Sequence, residues 1–246
     1  MDNVWVNTAV FVGWLLGGII GGATGIGAIM IAMPILTMVL APGDAVLVSC
    51  LVGLYGCIHL ALAYRRDCKW ADIRDLGIGV VPGCVVGVLA LKIASVRSLE
   101  LMISVMLAVF VLLRLFRGTA RQRLPESAPL GVAAGAACGF VAASVAMVGA
   151  PLGIYALLRQ WEPNRARGNM SVLYVFTGVG AVAMQAFSGL YDMALLRIAL
   201  VGMAGCSLGQ FAGVRLGRNI RGETFGRLIV VFLAIAAVVL FIRAVS

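Results

Sequence analysis

Charge is scarce in this sequence. Asp, Glu, Lys and Arg make up 12% of its 246 residues, about half the share of a soluble globular chain, which argues against a globular cytosolic enzyme. Histidine occurs once, as His59, and no Asp or Glu stands well inside an apolar segment: Asp44, Asp75, Glu100 and Asp192 all sit at segment ends. A built-in carboxylate proton relay and a carboxylate cage for a divalent metal are thereby excluded. The six cysteines form no Cys-x-x-Cys pair and no Cys/His ligand spacing. With Cys50, Cys57, Cys84, Cys138 and Cys206 inside apolar runs, they read as core thiols. Ser144 and Ser171 lack a Gly-x-Ser-x-Gly context, and one histidine without an acidic partner is a thin basis for a hydrolase. A protein without catalytic, metal or cofactor residues is expected. No basic stretch precedes the first apolar run, so no removable signal peptide is expected either.

What the sequence has in abundance is apolar length. Hydrophobic residues make up 62% of it and the mean hydropathy is +1.07, values that define a polytopic membrane protein. Nineteen Lys and Arg against ten Asp and Glu give a net charge of +9. In a membrane chain such an excess collects in loops for topological reasons, so nucleic-acid binding is not expected. Six apolar segments have ordinary spanning lengths: Ala45–Tyr64, Leu76–Leu91, Leu99–Phe116, Asn169–Leu190, Ala194–Val214 and Phe225–Ile242. Two are too long for one straight span: Thr8–Ala41 would measure about 51 Å and Leu130–Leu158 about 44 Å as helices, against roughly 30 Å of hydrocarbon.

Each long segment has a helix-weakening centre, Gly21 to Ala28 followed by Pro34 in the first, Ala142 to Pro151 in the second. Each reads either as two half-helices meeting at a break or as one long kinked helix. The distribution of positive charge separates these readings. If each long segment returns to its own side, fifteen of the nineteen basic residues, in the clusters Arg65–Arg74, Arg114–Arg123, Arg159–Arg167 and Arg215–Arg227, fall inside. Lys92, Arg97, Arg197 and Arg243 then remain outside. Single crossings would instead divide the charges ten to nine, so the hairpin reading is preferred. Trp70 and Trp161 lie by the inside loops, and Trp5 and Trp14 are expected at the outer interface.

The fold expected is therefore an all-α polytopic membrane protein of eight hydrophobic segments with an inverted-topology repeat, each half a broken re-entrant hairpin plus three transmembrane helices. The halves are residues 1–117 and 130–246, joined by a cytoplasmic connector at 118–129, with both termini outside. Recurring markers support a duplication: Gly79, Gly83 and Gly87 return as Gly205, Gly209 and Gly213, Ser49, Leu51 and Gly56 as Ser171, Leu173 and Gly178, and Pro34 as Pro151. The glycine stripes indicate close helix packing and are compatible with a homodimer.

In such a fold the two hairpin tips face each other near the midplane, where half-helix N-termini offer unpaired N–H groups and partial positive charge to a small anion. The expected substrate-binding residues are Gly22, Thr24, Gly25 and Gly27 at the first tip, Ser144 and Gly149 at the second, and Ser49, Asn169 and Ser171 on the following spans. A backbone hydrogen bond within the helix is the competing use of each hydroxyl. His59 is the one side chain placed to assist proton coupling. Besides the anion, membrane lipid is expected as a partner, and the glycine stripes are compatible with a second copy of the chain. A channel with two re-entrant elements is the alternative, though no Asn-Pro-Ala occurs.

Gly21-Gly22-Ala23-Thr24-Gly25-Ile26-Gly27 running to Pro34 resembles the first signature of the sulfite exporter TauE/SafE family, also called the toluene sulfonate uptake permease family. Gly149-Ala150-Pro151-Leu152-Gly153 to Leu157 is similar to its second. Tyr64-Arg65-Arg66 with Trp70, Asp72 and Arg74 resembles its basic loop, and Leu208-Gly209 through Gly213 and Gly217 its seventh span. Ala28 and Ala150 depart from the usual glycine and proline. The resemblance implies secondary transport by alternating access of a small sulfur anion, of the sulfite, sulfonate or sulfoacetate type, across a prokaryotic cell membrane.

Overall fold

The structure, a computed structural model, describes residues 4–24, 27–115 and 127–217, with residues 238, 241 and 242. The expected connector at 118–129 lies almost wholly outside the described residues, and so does the last segment, Phe225–Ile242, apart from those three. Among the described residues every regular element is a helix: α1 (Val4–Thr24), α2 (Ala28–Leu36), α3 (Pro42–Tyr64), α4 (Trp70–Ile93), α5 (Val96–Leu115), α6 (Ala128–Val145), α7 (Gly149–Leu158), α8 (Pro163–Phe187) and α9 (Met193–Gly217). A single 3₁₀ turn, Arg65–Asp67, follows α3. Six of these helices, α1, α3, α4, α6, α8 and α9, are long and apolar enough to cross a membrane. Their outer faces are apolar too: α4 buries Leu76, Val80 and Cys84 but exposes Ile78, Val81, Val85 and Leu89. An apolar surface of that kind is stable against lipid rather than water. The chain is a multi-pass membrane protein.

Both over-long segments are broken. The first stops at Thr24 and resumes at Ala28; the second stops at Val145 and resumes at Gly149. After the first break the chain turns back, because α2 lies antiparallel along α1. A methyl group on Gly21 would stand 2.8 Å from the Cβ of Ala28, and one on Gly13 would stand 3.2 Å from Leu36. α7 likewise leads back toward the start of α6, with the Tyr155 hydroxyl 3.7 Å from the methyl position on Gly131. The arms are unequal, unlike the paired half-helices expected. α1 has 21 residues and α2 has 9, so α1 alone reaches about 31 Å. No Gly or Pro stands between Val4 and Gly13, and α1 continues through Gly13, Gly17, Gly18, Gly21 and Gly22 before the break.

Two helix pairs frame the molecule, α1 with α9 and α4 with α6, and both run parallel. Gly205, Gly209 and Gly213 of α9 press on the carbonyls of Phe11, Leu15 and Ile19, while Gly79, Gly83 and Gly87 of α4 press on those of Val132, Ala136 and Phe140. With no room for a Cβ at these places, backbone meets backbone, which is how helices associate in lipid without a hydrophobic driving force. α3 and α8 pack on each other between these pairs.

Candidate functional site

The two breaks meet in the protein interior around a cavity of about 90 Å³. Gly27, Ala28, Ile29 and Met30 reach it from the start of α2, and Ala146, Met147, Val148 and Gly149 from the second break. α3 contributes Cys50, Gly53 and Cys57, α8 contributes Tyr174, Thr177 and Gly178, and Cys206 and Gln210 come from α9. The Cε of Met30 stands 2.6 Å from the methyl position on Gly149, so the two tips touch through one flexible side chain. No Asp, Glu, Lys, Arg or His lines the cavity among the described residues.

Each break has its own local cause. Gly27 caps α2 with φ +98° and ψ 7°, a left-handed conformation that glycine adopts without the strain of a Cβ. The second break uses Ala146 at φ 61°, an uncommon conformation for a residue with a Cβ. Surrounding bonds hold it there. The Ala146 amide donates to the Ala142 carbonyl at 3.1 Å, the fully buried Gln185 donates through Nε2 to the Ala143 carbonyl at 3.0 Å, and the Tyr191 hydroxyl donates to Gln185 Oε1 at 2.6 Å. The Ala143 carbonyl, one of the last in α6, is thus paired from α8. Gln185→Leu is expected to lower the stability by about 1–3 kcal/mol by leaving buried polar groups unpaired. Thermal denaturation reads it, and an unchanged melting curve would show that the break holds without this network.

Beyond the breaks, α2 and α7 point their N-termini at the cavity. Their first amide groups have no carbonyl one turn earlier to bond, and each terminus carries about half a positive elementary charge. Another donor is left over nearby. The Tyr174 hydroxyl oxygen is buried and has no hydrogen-bond partner, an arrangement that costs about 1–3 kcal/mol unless a ligand or water completes it. Trp14, fully buried, lines the cavity from α1. It is therefore not the interfacial anchor its residue type suggested.

Of the residues expected at the site from sequence, Gly27 and Gly149 line the cavity. Gly25 lies outside the described residues, as does the side chain of Thr24. Gly22 packs on α9 at the Gln210 carbonyl. Ser144 donates to the Phe140 carbonyl at 2.7 Å and Ser171 to that of Gly168 at 3.0 Å, within their own helices, and the buried Ser49 faces Met33 Sδ at 3.5 Å. Asn169 belongs to a different cluster: its Nδ2 donates to Asp72 Oδ2 at 2.8 Å, its Oδ1 accepts from the Lys69 amide at 2.8 Å, and Arg165 grips the same carboxylate with two nitrogens. His59 is exposed on α3, edge-on to Tyr55 with ring centroids 4.7 Å apart. Sequence reasoning missed Tyr174, Thr177 and Gln210. A Gly-x-Ser-x-Gly string does occur, Gly205 to Gly209, but its Ser207 lies within α9 and donates to the Met203 carbonyl at 2.8 Å, without the strand-to-helix turn such a nucleophile requires.

A small uncharged cavity where two helix breaks meet, inside a bundle with an apolar exterior, defines a membrane protein built to handle a small solute within the bilayer. Residues 10–240 match the family model described as sulfite exporter TauE/SafE. The chain belongs to that family, a family of membrane transporters. No curated protein and no solved structure matches it.

Proposed function

We propose that this protein is a secondary carrier for a small sulfur oxyanion such as sulfite, held between the two helix breaks and exposed alternately to the two sides of the membrane. The observation that carries this reading is the convergence of the α2 and α7 N-termini on one cavity with no charged side chain among its described lining residues. Helix ends attract an anion without the desolvation cost of a buried Lys or Arg. The paired parallel interfaces, α1 on α9 and α4 on α6, support an inverted repeat, because each joins a hairpin arm of one half to a span of the other. Rocking of these units about the cavity is the motion proposed, with both termini outside as the basic clusters indicate.

Size restricts the substrate. A cavity of about 90 Å³ favours an ion of a few heavy atoms over an aromatic sulfonate. Thermal shift on the detergent-solubilised protein tests this with sulfite, thiosulfate, sulfoacetate, an aromatic sulfonate, matched carboxylates and phosphate. Saturable stabilisation by sulfite is expected, about 2.7 kcal/mol at a hundredfold excess over Kd, with less from the aromatic sulfonate. A response to carboxylates alone would remove the sulfur-anion assignment. In proteoliposomes the carrier reading requires saturable counterflow; unsaturated flux would make the protein a channel.

A further inference from the structure

Three donors around the cavity are committed to carbonyls of the protein. Thr177 Oγ1 donates to the Tyr174 carbonyl at 3.1 Å, Gln210 Nε2 to the Gly56 carbonyl at 3.2 Å and Cys50 Sγ to the Ala142 carbonyl at 3.4 Å. Two donors at the cavity are buried and unpartnered, Trp14 Nε1 and the Tyr174 hydroxyl, and the hydroxyl stands 3.7 Å from the methyl position on Gly149, the first residue of α7. The hydroxyl thus faces the point where the α7 N-terminus opens. The titratable groups near it are the thiols of Cys57 and Cys138, which are uncharged at neutral pH. The charge available to a ligand is therefore that of the two helix ends, together about one positive elementary charge.

We propose that the Tyr174 hydroxyl donates a hydrogen bond to the bound anion, and that the site prefers a singly charged oxyanion to a doubly charged one. The inference rests on the carrier reading for the kind of solute and adds to it a donor and a charge state. One negative charge is balanced by the two helix ends and a neutral phenol; a second would lie uncompensated among apolar side chains, where burying it is costly. For sulfite this selects the hydrogen sulfite form, which brings its own proton, so that proton movement needs no carboxylate or histidine at the site.

Methanesulfonate and sulfate test the charge preference, because both are tetrahedral, nearly equal in size, and fixed in charge near neutral pH. Calorimetric titration of the full-length solubilised protein at pH 7 is expected to show methanesulfonate binding at least about ten-fold more tightly than sulfate. Tyr174→Phe is expected to weaken methanesulfonate by about ten-fold or more, the loss of one hydrogen bond to a charged group. Its melting temperature without ligand should be unchanged or higher, since the hydroxyl has no protein partner to lose. Sulfate binding as tightly as methanesulfonate, wild-type affinity in Tyr174→Phe, or no binding of methanesulfonate by a protein that sulfite stabilises would each overturn the inference and leave the carrier reading in place. Charge-selective, Tyr174-dependent binding without saturable transport would leave the inference standing and remove the carrier. Absence of binding by any of these anions would overturn both.

Discussion

A Gly149→Val variant is expected to lose saturable stabilisation by sulfite, and transport with it, while still accumulating in the membrane as a folded protein. Gly149 opens α7 and lines the cavity. It does not adopt a left-handed φ, so a side chain brings no backbone strain. The first atom added would meet Met30 Cε at 2.6 Å and the Tyr174 hydroxyl at 3.7 Å. Met30 can yield, because its contact is the end of a flexible chain, and the structural cost stays at about 1–2 kcal/mol. Valine adds three carbon atoms at a residue that lines the cavity, and both they and the displaced Met30 side chain take space from a cavity of about 90 Å³. Ligand-dependent thermal shift and expression level, measured side by side, check both halves of the expectation. Unchanged sulfite affinity would move the site elsewhere in the protein.

Gly135→Ala should do the reverse and prevent assembly with the addition of one methyl group. Gly135 lies on α6 against α4, where an added Cβ would overlap the Leu76 carbonyl oxygen, carbon and Cα. All three are backbone atoms, so no side-chain rotation relieves the overlap and the helices must separate along their length. Overpacking of ordinary cores costs about 1–3 kcal/mol. A clash fixed in two backbones belongs at the top of that range or above it, against a total stability of about 5–15 kcal/mol. Gly77→Ala on α4, where nothing stands within 4 Å of the new methyl, is the control and should behave like wild type. The readout is the yield of monodisperse protein after solubilisation. A normal yield from Gly135→Ala would mean that the two helices do not approach as closely as described.

The helix breaks were legible in the sequence because local residues marked where they could fall and the distribution of basic residues favoured a return over a single crossing. Glycine at 25 and 27 and the Ala-Met-Val-Gly run at 146–149 interrupt apolar stretches too long to be single spans, and the structure starts α2 and α7 at those places. The inequality of the arms was hidden, since the length of an apolar run gives only the sum of the two. Tyr174, Thr177 and Cys57 were hidden for a different reason. In a soluble helix the polar face reveals the inner one, but α3 and α8 face lipid outward and core inward with similar residues on both sides. Which face turns in depends on the neighbouring helix, and that information lies a hundred positions away. Trp14 was misplaced by its type, because tryptophan favours membrane interfaces and nothing local marks an exception. Ser144 and Ser171 show the same limit: their hydroxyls satisfy carbonyls of their own helices, an outcome that the residue type leaves open. Asn169 was read as a ligand group, whereas its amide spans Asp72 and the Lys69 amide, a pairing no local pattern announces.

The pairing of α1 with α9 also sets an order of events during synthesis. α1 leaves the ribosome before the other described helices, yet the groove cut by Gly18 and Gly22 is filled only by residues around Cys206 and Gln210, some 190 positions later. Until then α1 must wait in the bilayer with its most closely fitted face turned to lipid or to an insertion factor, and α2 folded along it can cover its other side in the meantime. A ribosome stalled before residue 193 would hold a chain that has threaded the membrane several times and still cannot close, and quality-control proteases would meet it in that state.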